Sequence, residues 1–167
     1  MQQTTFTVTP DLYSSKGKRF ANYIVDYVIQ MVLGMVLGIL IAFHAEWSES
    51  YYLYDMVIED ESRLSDYIFG IVLLLIYYTT IEFFTKGRSV GKYLTKTKVV
   101  LIDGSELTFS DVFVRTLCRI IPFEAFSFLG QEGKGWHDSI SKTYVVDIEK
   151  FEEKKQSFSE IEQIGLE

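Results

Sequence analysis

The sequence predicts a mainly α, membrane fold: a two-span helical hairpin, then a re-entrant or interfacial helical element, with a small cytoplasmic β-sheet. Three observations carry that expectation. Two apolar runs, residues 20–45 and 67–84, are long enough to cross a bilayer; the charges flanking them are sorted by sign; and β-branched residues around an Asp-Gly pair occur only in the second half. With 167 residues, 48% of them apolar, including 13 Phe and 11 Tyr, the chain makes one domain and is rich in apolar residues for a soluble protein of this size.

The first run spans about 26 residues and roughly 39 Å of helix, more than a hydrocarbon core of about 30 Å, so its first turns lie in the headgroup zone or the helix tilts. The second, YIFGIVLLLIYYTTIEFF, is just long enough and carries one acid, Glu82, near its end. Core helices of a soluble bundle are amphipathic, whereas MVLGMVLGILIAF and IFGIVLLLIYY are apolar all round. A cleaved signal peptide is disfavoured by the length of the first run, by Asp26 inside it, and by its end in FHAEW.

Lys and Arg mark the cytoplasmic side. Lys16, Lys18 and Arg19 precede the first run, and Lys86, Arg88, Lys92, Lys96 and Lys98 follow the second. The connection between the runs holds Glu46, Glu49, Asp55, Glu59, Asp60, Glu61 and Asp66 against Arg63 alone. The N-terminal segment, residues 1–18, is therefore cytoplasmic and the acidic loop lies outside, with Tyr51, Tyr52 and Tyr54 suited to the interface.

Beyond the runs, KTKVVLIDGSELTF places alternating β-branched residues around Asp103 and Gly104, a hairpin signal, and Thr143–Ile148 supplies another strand. Between them, Ser110 opens a helix with Asp111 in its first turn, over residues 110–130. A straight span there would bury Arg115 and Arg119, an i,i+4 pair, and would strand the last β segment across the membrane, so a broken element at the cytoplasmic face is expected. Residues 149–167 are a charged C-terminal tail, frayed helix or disordered, to which no chemistry is assigned.

The first run carries the feature that asks for explanation. Asn22, Asp26, Gln30, Gly34 and Gly38 are spaced four apart and form one ladder on a helix, with Arg19 about 20° from it. Gly34 and Gly38 make a GxxxG that suits close helix packing. Asn22 and Gln30 alone would be interhelical hydrogen-bonding groups, but an acid between them needs a cation, a proton or water. Arg19 lies about 10.5 Å along the axis from Asp26, so Arg115 or Arg119 is at least as good a partner. Two readings stand: a static ion pair, or a carboxylate that exchanges a proton or cation.

Four stretches, RFANYIVD, GRSVGKYLTKTKVV with the DG turn after it, LTFSDVFVRTLCR and WHDSISKTYVV, resemble in this order the RDD family of small integral membrane proteins, and cover most of residues 19–146 of a membrane domain expected over 19–148. The resemblance places the family arginine on Arg19, its first aspartate on Asp26 and its second on Asp138. It implies a bacterial inner-membrane protein, in a family of mostly unassigned function for which transport is commonly suggested and some members are described as sodium or potassium/proton antiporters. Asp138 either caps the turn leading into the last strand or pairs with Arg19 and tethers the last segment to the first helix.

Other chemistry finds no support in the sequence. GRSVGK has one residue too few between its glycines for a phosphate-binding loop and reads as a basic turn facing anionic lipid headgroups. His44 and His137 fall on opposite sides of the expected membrane, Cys118 is a lone thiol in an apolar stretch, and no serine has the glycine flanks of a nucleophile elbow, so no metal, cofactor or enzyme activity is expected. The net charge of −7 would argue against nucleic acid if it were evenly spread, but its distribution matters more: the acids sit mostly in residues 46–66 and in the tail from Asp147; no nucleic-acid partner is expected. What remains is an oligomeric transporter of ions or small solutes that uses Asp26, or a non-transporting scaffold or accessory subunit with structural Arg-Asp pairs. Either has the lipid bilayer and a second copy or a membrane partner protein as its partners. With so few helices, a carrier would need to be a homo-oligomer.

Overall fold

The computed structural model describes residues 6–59, 63–130 and 134–164. Both apolar runs lie inside longer helices. Helix α1, Lys16–Ser48, starts where the Ser15 hydroxyl accepts from the Lys18 amide at 3.3 Å, and ends at Glu49 in a left-handed conformation. Its 33 residues make about 50 Å of helix. A single turn, α2 (Tyr52–Tyr54), and a π-helical turn over Asp55–Glu59 reverse the chain toward α3, Arg63–Phe84. Of the apolar windows in α1 and α3, only 6% and 17% is buried, so each offers to its surroundings the apolar surface a soluble helix would hide. Both are long and apolar enough to cross a membrane.

Everything that closes the fold gathers at one end of this pair. Gly87 turns the chain at φ +84°, where a Cβ would meet the Val99 carbonyl at 2.6 Å, and Ser89 caps the short helix α4, Val90–Leu94. Strand β1, Thr97–Leu101, pairs antiparallel with β2, Thr143–Asp147, so that Val99 faces Val145. Between the strands come α5 (Phe109–Cys118), α6 (Glu124–Ser127) and α7 (Trp136–Ile140); α8 (Ile148–Ile164) follows β2. The N-terminal segment joins this unit: the Val8 amide donates to Ile102 and Tyr13 bridges Val146. Val8, Leu12, Val100, Val146 and Phe151 form the apolar core, with Phe6 edge-on to Phe151 at 5.6 Å.

Three expectations change. The Asp-Gly turn exists, with Gly104 at φ +75° and its amide on Leu101, but no strand follows it. Thr108 and Asp111 form a reciprocal capping box, so the next residues start α5 and β1 takes β2 as its partner. That box also moves the helix start from Ser110 to Phe109, with Thr108 as the cap. The tail is ordered helix from its first residue, because Phe151 is fully buried; its last residues, 165–167, lie outside the described residues. The stretch 110–130 is broken, as expected: α5 is about 15 Å long, half a hydrocarbon core, and Phe123 at φ +65° separates it from α6.

Candidate functional site

The buried side of α1 is the polar ladder. Arg19, Asn22 and Asp26 are buried, Gln30, Gly34 and Gly38 half-buried, while most of the rest of the helix is exposed. The ladder receives α4. Gly91 lies so close to α1 that a Cβ there would sit 2.5 Å from the Asn22 carbonyl oxygen and 2.8 Å from its Cα. Beside that contact the Asn22 amide meets the hydroxyls of Thr95 and Thr97 at 2.5 and 3.0 Å, which ties α1 to the start of β1.

Asp26, 2% exposed, is held by four donors. The Gly91 amide and the Tyr77 hydroxyl each donate to Oδ1 at 2.9 Å; the hydroxyls of Ser89 and Tyr78 donate to Oδ2 at 2.5 and 3.4 Å. A carboxylate offers about four acceptor sites, and here all are taken by uncharged groups. Among the described residues no Lys, Arg or His nitrogen lies within 4.0 Å of it. The expectation of an arginine partner is therefore corrected: α1 meets a turn whose amide and hydroxyl point at one carboxylate, and the arginines are engaged elsewhere. Gln30 donates to the Asp26 backbone carbonyl at 3.3 Å, within its own helix.

The arginines belong to a buried ion network. Asp138 accepts from Arg19 and from Arg115, and also caps α7 by accepting the Gly135 amide at 3.0 Å, so the capping and tethering readings both hold. Arg115 also donates to Thr143 at 2.7 Å and places Nε 3.3 Å from Glu82, which in turn takes Lys92 at 2.5 Å and Arg119 at 3.0 Å. On the other side of Asp138, His137 sits between it, at 3.2 Å, and Glu124. Burial pulls the Lys92 ammonium down to about 8 against the pull of Glu82. Burial also lowers His137. For Glu124 burial acts the other way, but the hydrogen bond and charge of His137 hold it at about 2, and burial of Asp138 is likewise outweighed by His137, Arg115 and Arg19.

The RDD family model matches residues 13–142, most of the chain, and includes all of Arg19, Asp26 and Asp138. The chain belongs to the RDD family. No curated protein and no solved structure matches it.

Arg19, Asp26 and Asp138 thus divide into two sites about two turns apart on α1. Arg19 and Asp138 meet directly; Asp26 meets neither Arg115 nor Arg119, and Arg119 lies instead over the Tyr78 ring at 3.9 Å. Of the GxxxG pair, Gly34 faces Leu73 of α3 in an ordinary contact, and Gly38 has open space. The glycine that permits close backbone approach is Gly91. Nor is GRSVGK a turn whose cations all face headgroups, because Lys92 is 4% exposed and paired with Glu82.

Sequence reasoning passed over Glu82, Lys92, Glu124 and His137 as network members, and Tyr77, Tyr78, Ser89 and Gly91 as the cradle of Asp26. Glu82 carried a signal: like Asp26 it is an acid in an apolar run, and it stands four residues after Tyr78, on one helix face.

Between the two sites of this RDD chain lies a chamber of about 410 Å³. Its polar end is lined by Arg19, Asp26, Lys92, Arg115, Arg119 and Glu124; Met31, Gly70, Leu73 and Leu74 line the end between α1 and α3.

Proposed function

We propose that this RDD protein is a two-span integral membrane protein of the bacterial inner membrane, with α1 and α3 crossing the bilayer, the sheet and both termini cytoplasmic, and the signature residues acting as a structural clasp. The bare apolar surface of α1 and α3 supports the placement, and the excess of Lys and Arg at the ends of the helices nearest the sheet supports the orientation. The clasp has two parts: Asp26 draws α4 onto α1 through uncharged donors, and Arg19 with Asp138 ties α7 to the same helix.

The observation that carries this reading is the saturation of Asp26 by four donors. A proton or cation could use that carboxylate only by displacing a tyrosine, a serine or a backbone amide. Asp26→Asn then sets an amide nitrogen against donors, costs about 1–3 kcal/mol and lowers abundance in the membrane. A transport reading draws on a different observation, the chamber that reaches Asp26, and requires copies of the chain to enclose a path, for which the open face at Gly38 is available. It has Asp26→Asn folded at normal abundance but without ion-coupled proton flux in vesicles. Measuring abundance and flux together separates the two.

A further inference from the structure

We infer that the chamber holds the head of an anionic amphiphile drawn from the bilayer, with its phosphate or carboxylate against Arg115 and Arg119 and its chain along the gap between α1 and α3. The charge of the wall is the first ground. Four cations, Arg19, Lys92, Arg115 and Arg119, line the chamber against two carboxylates, Asp26 and Glu124; Glu82 and Asp138, which pair with these cations, stand behind the wall and do not line it. Asp26 is already saturated by uncharged donors, and Glu124 is taken up by His137.

Unpartnered donors are the second. Arg115 is fully buried, and its Nη2 has no hydrogen-bond partner among the described residues; nor has Nε of Arg119, whose side chain is 13% exposed. Buried guanidinium nitrogens without acceptors are costly and call for an acceptor. An anion between the two guanidinium groups supplies an acceptor to each, through charge-assisted hydrogen bonds.

The third ground is size and lining. About 410 Å³ lies within the roughly 300–1,000 Å³ of pockets that hold small organic ligands, and is several times what a bare anion fills. The rest is bounded by Met31, Leu73 and Leu74, with space at Gly70 where a Cβ would meet nothing within 4 Å. A chamber with cations at one end and apolar walls from two lipid-facing helices at the other matches a molecule with one charged end and one apolar end.

The inference rests on the bilayer placement proposed above. The full chain is incorporated into nanodiscs of neutral phosphatidylcholine and titrated with dodecyl phosphate, inorganic phosphate or dodecyl maltoside, read by thermal-unfolding midpoint and by native mass spectrometry. Dodecyl phosphate is expected to bind saturably, one per chain, at least tenfold tighter than either control. Gly70→Leu and Met31→Trp, which fill the apolar end, each weaken it at least tenfold with the unliganded midpoint unchanged; if one variant fails to fold, the other is read. Equal binding of inorganic phosphate overturns the inference in favour of a bare-anion site. Equal binding of the maltoside reduces it to chain partitioning, and undiminished binding by the folded variants places the ligand elsewhere. Protein that does not enter the disc refutes the bilayer placement, whereas protein that enters and binds nothing refutes the amphiphile alone.

Discussion

Gly91→Ala is the most informative single substitution, because its cost follows from distances. The added Cβ would lie 2.5 Å from the Asn22 carbonyl oxygen, where ordinary contact begins at 3.4 Å, so α4 must withdraw from α1 by about 0.9 Å. Both neighbours are backbone, and neither can rotate away. Withdrawal stretches the 2.9 Å hydrogen bond from the Gly91 amide to Asp26 to roughly 3.8 Å, past any useful geometry. Overpacking contributes about 1–3 kcal/mol and the lost bond to a carboxylate about 1.5–3 kcal/mol, which together make about 3–5 kcal/mol. That is a large part of the stability of a domain this size. The assay is the unfolding midpoint of the purified protein in a mild detergent, with membrane abundance as a second readout. An unchanged midpoint and normal abundance for Gly91→Ala would refute the docking of α4 on the first helix.

Other expectations follow from the same geometry. Gly38→Ala, with nothing within 4 Å, leaves the midpoint unchanged or raises it by the roughly 0.5–1 kcal/mol a helix gains from alanine, and serves as the control for Gly91 in the same assay. Tyr77→Phe and Ser89→Ala each remove one donor from Asp26 and lower stability by about 1–3 kcal/mol, a loss that Asp26→Ala makes non-additive in a double-mutant comparison. Acid destabilises the fold in two stages. His137 is held below its ordinary 6.5, so the unfolded chain takes up the proton first and stability falls as pH drops below 6.5; Glu124 is held at about 2 against 4.5, so its contribution is complete above 4.5 and is lost from there toward 2. A pH series of unfolding midpoints checks both stages, and Glu124→Gln flattens the lower one.

Periodicity and charge carried the fold a long way. The four-residue ladder of α1 does mark its buried side, and the Lys and Arg flanks coincide with the end where the sheet packs. Arg19 and Asp138 meet although 119 residues separate them, and only the resemblance to a family joined them in advance. What could not be read depends on contacts between distant segments. The partner of Asp26 looked like an arginine because charge is the usual remedy for a buried acid, yet two tyrosines within an apolar run and a Ser-Val-Gly turn supply the donors. No periodicity reveals that a hydroxyl in YIFGIVLLLIYY points inward at one aspartate. The Asp-Gly signal was sound as a turn and misleading as a hairpin, because Thr108 and Asp111 form a stronger local structure immediately after it.

The claim at the centre of this account is that the RDD signature is a structural clasp, and the most direct test is a double-mutant cycle on Arg19→Gln and Asp138→Asn, read by unfolding midpoint in detergent. Both side chains are nearly or fully buried; Asp138→Asn takes the shared carboxylate from two arginines and is predicted to lose about 3–5 kcal/mol, whereas Arg19→Gln leaves Asp138 with Arg115 and is predicted to lose about 1–3 kcal/mol. The double variant should lose less than the two losses combined, by a coupling of roughly 0.5–3 kcal/mol. Additive losses, or single variants as stable as the parent, would contradict it.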